Sequence, residues 1–209
     1  MSAKSNNRKK RGRPRKDERP AEILQAGFQE FAEKGFLATR LEDVAARAGV
    51  AKGTVYLYYE SKEALFEAAV RARILPVWSQ VGELADTQDG PTIDLFKLIL
   101  RSMYGIMADP EARTLLRIVV ADGQRFPALI TFYHREVVSR MRLVLGALIA
   151  RGVARGEFHE GALTDLPEVL IAPGVMGALW QMTFASEEPI PLERFLAAHL
   201  DMVERCLSK

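Results

Sequence analysis

Residues 39–59, TRLEDVAARAGVAKGTVYLYY, constrain the fold more than any other part of the chain. The apolar residues of LEDVAARA recur at helical spacing on one face. Thr39 is followed three places later by Glu42, which predicts a capping box at the start of this helix. Gly49 stands where the helix must end, because glycine adopts the left-handed conformation at low cost. A second short helix follows, so the stretch predicts a helix-turn-helix, a motif whose second helix can lie in a DNA major groove.

The segments FAEKGF, LEDVAARAGV, KGTVYLYY and SKEAL follow one another within residues 23–65. Their order and spacing resemble the TetR family of bacterial transcriptional regulators. The resemblance covers roughly the first third of the chain. Beyond it, the resemblance implies an architecture, namely a helical ligand-binding and dimerisation domain, and does not identify a ligand.

The rest of the chain is predicted to be helical as well. Beyond residue 91 the apolar periodicity is that of helices, and the separators are rich in Gly, Pro and Asp. The predicted helices are 93–108, 111–120, 127–151, 166–184 and 192–207. The first helix is expected over about 20–34, and the fourth is expected to start at Ser61 as N-cap and to bend near Pro76. We therefore expect an all-α protein of about nine helices.

Charge and composition divide the chain into three parts. Residues 1–16 are basic and almost devoid of apolar side chains, which predicts a disordered basic arm. Residues 17–77 are assigned to the helix-turn-helix domain, and residues 78–209 to the ligand-binding and dimerisation domain. Residues 1–74 hold 16 Lys and Arg against 10 Asp and Glu, a net charge of +6, whereas the remainder carries −4. The basic end is therefore the one expected to face a polyanion.

The basic arm has two interpretations. Its centre, RGRPR, resembles an AT-hook core, in which Arg11 and Arg13 would enter the narrow minor groove of A·T-rich DNA. Alternatively, the arm is a generic basic tail that contacts only phosphates. In both cases it should raise DNA affinity in a salt-dependent manner.

Candidate DNA contacts cluster around the second reading helix. In this mode of docking the first turn of the helix points into the groove. There Lys52 offers a cation, Gly53 lets the backbone approach closely, and Thr54 offers a hydroxyl. Beyond that turn, Tyr58 and Lys62 are placed to reach phosphates. The resemblance implies DNA contacts at all these positions and at the start of the preceding helix: Thr39, Arg40, Lys52, Gly53, Thr54, Tyr58 and Lys62. Val55, Tyr56 and Tyr59 are interpreted as packing residues.

Two further surfaces are predicted in the second domain. Methionines and aromatics on two helices suit an adaptable apolar ligand pocket, although they suit an ordinary core equally well. The pocket residues are Phe96, Leu100, Met103, Met107, Tyr133, Val137 and Met141. Arg101, Arg117, Gln124 and His134 are the polar candidates to orient a ligand.

Paired half-sites on DNA require a dimer, and the last two long helices are its best candidates. The predicted interface residues are Leu170, Gly174, Gly177, Trp180, Leu196, Leu200 and Val203.

Other classes of protein find little support in the sequence. A single cysteine, Cys206, excludes an intramolecular disulfide and fits a reducing compartment. The longest apolar run is interrupted by Pro173 and Gly174, and no secretory signal is visible, so a cytoplasmic protein without a membrane span is expected. No catalytic constellation, metal-binding motif or cofactor-binding motif is present.

These features favour a homodimeric DNA-binding regulator, a repressor released from a near-palindromic operator by a small, largely apolar effector. Two alternatives remain open. One is an architectural DNA-binding protein that uses the arm and the helix-turn-helix without an effector. The other is an enzyme with an accessory DNA-binding unit, which the missing catalytic residues disfavour.

Overall fold

The computed structural model describes residues 19–79 and 89–209. Over these residues the regular structure is helical, apart from an isolated β-bridge between Phe158 and Ser208. The all-α fold class is confirmed, with eleven α-helices in the described residues where the sequence predicts about nine. Numbered in chain order, they are α1 Arg19–Ala38, α2 Leu41–Ala48, α3 Lys52–Tyr58, α4 Lys62–Arg73, α5 Thr92–Ala108, α6 Pro110–Asp122, α7 Pro127–Tyr133, α8 Ser139–Ala154, α9 Ala162–Asp165, α10 Ala172–Thr183 and α11 Leu192–Leu207. The basic arm lies outside the described residues.

The first three helices form the predicted helix-turn-helix unit. Helix α1 is interrupted at Gly35, which has a φ of 73° and stands where the sequence predicts that helix to end. Helix α2 ends at Gly49 in the left-handed conformation, with a φ of 66°. The backbone N–H groups after α2 bond back to its last carbonyls, so this glycine sets the turn into α3.

The predicted capping box at Thr39 is wrong. The residue that precedes α2 is Arg40, in an extended conformation and without a side-chain cap. The Thr39 hydroxyl instead donates to the Gly35 carbonyl oxygen at 2.7 Å. The break in α1 at Gly35 leaves that carbonyl oxygen at a helix end, where a side-chain hydroxyl can satisfy it.

Helix α4 links the two parts of the chain. Ser61 caps it as predicted, because its hydroxyl accepts a hydrogen bond from the backbone N–H of Ala64. The bend predicted near Pro76 falls at Ile74, after which residues 75–79 are helical again. Proline lacks the N–H of a continuous helix and crowds the preceding turn, so the break lies two residues before it.

Two of the predicted helices are divided. Residues 127–154 run from α7 through a π-helical turn, His134–Val138, into α8. The single helix predicted over 166–184 is wrong: a 3-10 turn, Pro167–Leu170, precedes α10. Pro167 and Pro173 each lie in the first turn of a separate segment, where a missing N–H costs nothing.

The hydrophobic core continues from the helix-turn-helix unit into the helices beyond it. Phe36 is fully buried, and its ring centroid lies 5.7 Å from Phe31, 6.1 Å from Phe66 and 4.9 Å from Phe126. Since Phe126 directly precedes α7, aromatic packing joins the first helix of the chain to its second half. The proposed boundary between residues 77 and 78 therefore separates two parts that share a core.

Candidate functional site

The first turn of α3 lies at the surface of the helix-turn-helix. Lys52 and Gly53 lie on the surface, and Gly53 has open space around the position that a Cβ would take. The other side of α3 is anchored, because Val55 is fully buried and the Tyr59 hydroxyl donates to the Pro20 carbonyl. The structure thus presents a short helix rigidly, with its N-terminal turn facing outward.

An ion pair holds Lys52 against α2. Its Nζ lies 2.5 Å from Glu42 Oε1 on α2 and 5.5 Å from the centroid of the Tyr56 ring. The hydrogen bond between them raises the pKa of Lys52 and lowers that of Glu42. Tyr56 was interpreted as a packing residue, and that interpretation is wrong: its ring is exposed and its hydroxyl lies 3.4 Å from Glu42.

The other predicted DNA contacts occupy different environments. Arg40 is exposed at the start of α2, whereas Tyr58 is half-buried against the core. Thr39 is only 1% exposed, so its hydroxyl is not available to DNA. Lys62 Nζ donates to the carbonyls of Phe36 and Leu37, at 3.0 and 3.1 Å, which uses two of its three N–H donors within the protein. Arg11 and Arg13 lie outside the described residues.

A network of charges fixes α2 against α1. Glu30 is buried and accepts from Lys34 at 2.7 Å and from Arg47 at 2.6 Å. Burial opposes the charge on this carboxylate, but the hydrogen bonds from Lys34 and Arg47 prevail and lower its pKa. Arg47 lies in the last turn of α2 and also pairs with Glu33 of α1. The orientation of α2 therefore depends on the ion pair between Arg47 and the buried carboxylate of Glu30.

An apolar cavity of about 100 Å³ lies between α5, α6, α7, α10 and the residues that follow α4. Five of the seven residues predicted for a ligand pocket line it, namely Met103, Met107, Tyr133, Val137 and Met141. The other two, Phe96 and Leu100, are fully buried and belong to the core, which corrects the prediction. On α5, Leu100 lies about one turn and Phe96 about two turns before Met103, towards the start of the helix.

The lining also includes residues that sequence reasoning missed. Ile74 and Trp78, at the bend after α4, lie against the cavity, as does Arg113 of α6. The polar candidates Arg101, Arg117, Gln124 and His134 do not line it. The bend near Pro76 is the sequence feature that could have indicated Ile74 and Trp78 as cavity residues. A broken helix changes the direction of the side chains that follow it.

Beside this cavity is a more polar recess between α6 and α10. Its lining residues are Pro110, Arg113, Thr114, Arg117, Gln181, Met182 and Ala185. Arg113 belongs to both linings. Arg117 donates from this recess to the carbonyls of Phe31 and Ala32, at 3.3 and 2.8 Å. Helix α6 therefore contacts the cavity and also holds a carbonyl pair of α1.

Four of the seven predicted interface residues are buried within the subunit, which corrects the prediction for Leu170, Gly174, Gly177 and Val203. A Cβ on Gly174 would lie 2.3 Å from the Met103 methyl group, so this glycine permits close packing inside one chain. The stripe on α11 also turns inward, since buried His199 bonds the Leu170 carbonyl at 2.6 Å. Trp180, Leu196 and Leu200 are half-buried.

A neighbouring apolar surface is left open. Val169, Pro173, Met176, Met202 and Cys206 line a shallow groove along α10 and α11, and Met176 is 54% exposed. We refer to these five residues as the outer apolar face. Val169 and Cys206 are exposed as well, whereas Met202 is half-buried against the core.

Two segments of the chain match known protein families. The family described as "Bacterial regulatory proteins, tetR family" matches residues 23–69, and "Tetracyclin repressor-like, C-terminal domain" matches residues 92–203. The chain belongs to the TetR family. It is thus a helix-turn-helix transcriptional regulator, and the resemblance inferred from the sequence motifs is confirmed.

Relatives within the TetR family are similar over most of the chain. The HTH-type transcriptional repressor KstR2 of Mycolicibacterium smegmatis is 28% identical over 147 residues, which is 69% of this chain and 70% of that protein. The regulator YerO of Bacillus subtilis is 24% identical over 201 residues, 92% of this chain and 67% of that protein. The solved SmeT–triclosan complex aligns with a TM-score of 0.73 and 25% identity, covering 91% of this chain and 92% of SmeT.

Features of other protein classes are absent from the described residues of this TetR-family chain. No helix among them has the length and apolar character needed to cross a bilayer. Residues 19–79 and 89–209 also contain no group of His, Cys, Asp or Glu side chains arranged to hold a metal ion.

Proposed function

We propose that this chain is a homodimeric repressor that binds a near-palindromic operator through α3 and is released by a small, largely apolar effector. The observation that carries the proposal is the first turn of α3. Lys52 and Gly53 are exposed and Thr54 is half-buried on a helix that Val55 and Tyr59 anchor, an arrangement that suits a recognition helix in a major groove. Arg40 and Tyr58 flank this turn and are proposed to contact phosphates.

The outer apolar face is the proposed dimer interface. Val169 and Met176 of this face are exposed, and a second copy would bury them around a two-fold axis. Trp180, Leu196 and Leu200 are half-buried and would lie at the margin of this interface. Two helices from each subunit would then form a four-helix contact.

Effector binding is proposed to act on α3 through two connections. Ile74 and Trp78 line the cavity and directly follow α4, which packs on the helix-turn-helix unit. Helix α6 lines the same cavity and holds α1 through Arg117. A ligand that separates these elements would change the spacing of the two recognition helices in the dimer, and both halves would no longer dock together.

An operator selected from random duplex DNA tests the proposal by fluorescence anisotropy. We expect Lys52→Ala and Tyr58→Phe to weaken operator binding about tenfold, since each removes a DNA contact, while the dimer stays intact in gel filtration. Arg140→Ala, which removes an exposed cation from α8, is the matched control and should change little. Unchanged affinity in both α3 variants would remove α3 as the reading element.

Linkage distinguishes an effector-responsive repressor from an architectural DNA-binding protein. If an effector releases DNA, operator must weaken effector binding by the same factor. Equal effector affinity for the free and the operator-bound dimer, or a melting temperature that no apolar compound shifts, would favour the architectural alternative.

The basic arm is proposed to add affinity on A·T-rich flanks through Arg11 and Arg13. Deletion of residues 1–16 should reduce affinity most on those flanks. An equal loss on all flanking sequences would indicate a tail that contacts only phosphates.

A further inference from the structure

The wall of the apolar cavity contains a hydrogen-bond donor without an acceptor. Trp78 lines the cavity and is only 7% exposed, and its buried indole Nε1–H has no hydrogen-bond partner among the residues that the structure describes. Buried N–H groups in folded proteins are nearly always paired, so an unpaired one invites an explanation. A ligand that carries an acceptor would supply the missing partner.

The remaining polar groups of the lining are also donors. Burial raises the pKa of Tyr133 to about 12, so its hydroxyl stays protonated and can donate at physiological pH. Arg113 contributes a permanent positive charge. The lining residues within 19–79 and 89–209 include no Asp or Glu, and the other side chains among them are apolar. The cavity is therefore matched to a molecule that accepts hydrogen bonds and carries negative charge.

Arg113 also lines the adjoining recess. The other polar side chains of that recess are already hydrogen-bonded within the protein. The Thr114 hydroxyl bonds the Pro110 carbonyl, Gln181 bonds the Ile190 carbonyl, and Arg117 bonds α1. Among the described residues no carboxylate lies within ion-pair distance of Arg113. Half-buried Arg113 thus lies at the junction of an apolar cavity and a polar recess, without an ion-pair partner in the described part of the chain.

We propose that the effector is a small monocarboxylate whose apolar part fills the cavity and whose carboxylate binds Arg113, with the Trp78 indole N–H as a second donor. This inference rests on the proposed function, since it names the ligand class of the same cavity. A cavity of about 150 Å³ holds a benzene molecule, so the present one of about 100 Å³ takes an apolar group of roughly four carbons. The head group and any remaining chain would occupy the recess.

Isothermal titration of the full-length protein with matched ligand pairs tests the class. Straight-chain carboxylates of about four to eight carbons are each compared with the primary amide of the same length. The amide keeps the shape and the acceptor oxygen but removes the charge. Because hydrogen bonds to charged groups are the stronger ones, we expect the best carboxylate to bind at least about tenfold more tightly than its amide.

Three variants assign that preference to residues. Arg113→Met should abolish the preference for carboxylate while the amide still binds, and Arg113→Gln provides a second test should the methionine variant fail to fold. Trp78→Phe should weaken carboxylate and amide alike, because it removes the N–H and keeps an aromatic ring. Arg101→Met is the matched control, since Arg101 is an exposed cation of α5 outside the cavity, and it should leave the preference unchanged.

Equal binding of carboxylates and amides, no carboxylate binding below millimolar concentration, or a preference that survives both Arg113 variants would overturn the inference. The regulator proposal is judged separately by operator binding. Release of operator by a neutral or cationic compound would reject the carboxylate class and leave the regulator in place. Failure of the wild-type dimer to bind any duplex would reject the regulator even if carboxylates bind at Arg113.

Discussion

At the scale of single residues, the pairing of Lys52 with Glu42 bears on how the recognition helix engages DNA. The side chain that is proposed to enter the groove is held by a neighbouring carboxylate in the free protein. Binding must therefore exchange one anionic partner for another. A carboxylate at this position also repels nearby phosphates, so it opposes indiscriminate DNA binding.

We predict that Glu42→Gln raises affinity for non-specific duplex DNA by several-fold, because it removes a negative charge and releases Lys52. Fluorescence anisotropy with a scrambled duplex at two salt concentrations measures this, and the gain should be larger at low salt. Glu67→Gln breaks an exposed ion pair within α4 and is the control. A fall in operator affinity would instead show that Glu42 holds Lys52 in its bound geometry.

Buried Glu30 makes the stability of the helix-turn-helix depend on pH. Its pKa is lowered below the ordinary 4.5, so its stabilising effect is present above that pH and is lost as the pH falls through the folded-state value. We expect Glu30→Gln to cost about 2 kcal/mol of unfolding free energy at pH 7, the range for hydrogen bonds to charged groups. Denaturant unfolding at several pH values should show this difference shrink below pH 4.5. A difference independent of pH would contradict the role of the charge.

At the scale of secondary-structure elements, the turn between α2 and α3 depends on the backbone conformation of Gly49. With a φ of 66° and no neighbouring side chain near the position of its missing Cβ, the cost of alanine there is conformational and not steric. We expect Gly49→Ala to destabilise the protein by about 1–2 kcal/mol.

Gly105 offers a matched control for this substitution. It lies within α5, also with open space around it, but without a positive φ. Gly105→Ala should therefore stabilise by about 0.5–1 kcal/mol, the helix-propensity difference. Thermal unfolding of both variants checks the two signs, and equal effects would show that the left-handed conformation of Gly49 is not required.

At the scale of the whole molecule, operator binding is proposed to depend on two subunits held by the outer apolar face. We predict that Met176→Glu dissociates the dimer, since it buries a charge in an apolar contact without a partner. Light scattering coupled to gel filtration should report the monomer mass. Operator affinity should fall at least about a hundredfold, because linked half-site binding is lost.

Leu143 is the control for the dimer experiment. It is 73% exposed on α8, and Leu143→Glu introduces the same charge away from the outer apolar face. It should leave both mass and operator affinity unchanged. A dimer that survives Met176→Glu would place the interface elsewhere on the molecule.

The sequence by itself determined the local structure of this protein. Helical periodicity, the Ser61 cap and the left-handed glycines depend on residues a few positions apart, so the all-α class and the helix-turn-helix could be read directly. The capping box predicted at Thr39 did not form, because α2 begins one residue later than that box requires and the Thr39 hydroxyl donates to the Gly35 carbonyl.

Only the tertiary structure decided what covers each apolar face. Periodicity shows that one side of α10 is apolar, yet Gly174 packs on Met103 of the same chain while Met176 stays exposed. The cavity likewise joins Trp78 and Arg113 to residues of α5 and α7 that are distant in sequence. Local patterns fix the direction of a side chain relative to its own helix, whereas its neighbours depend on how several helices pack together.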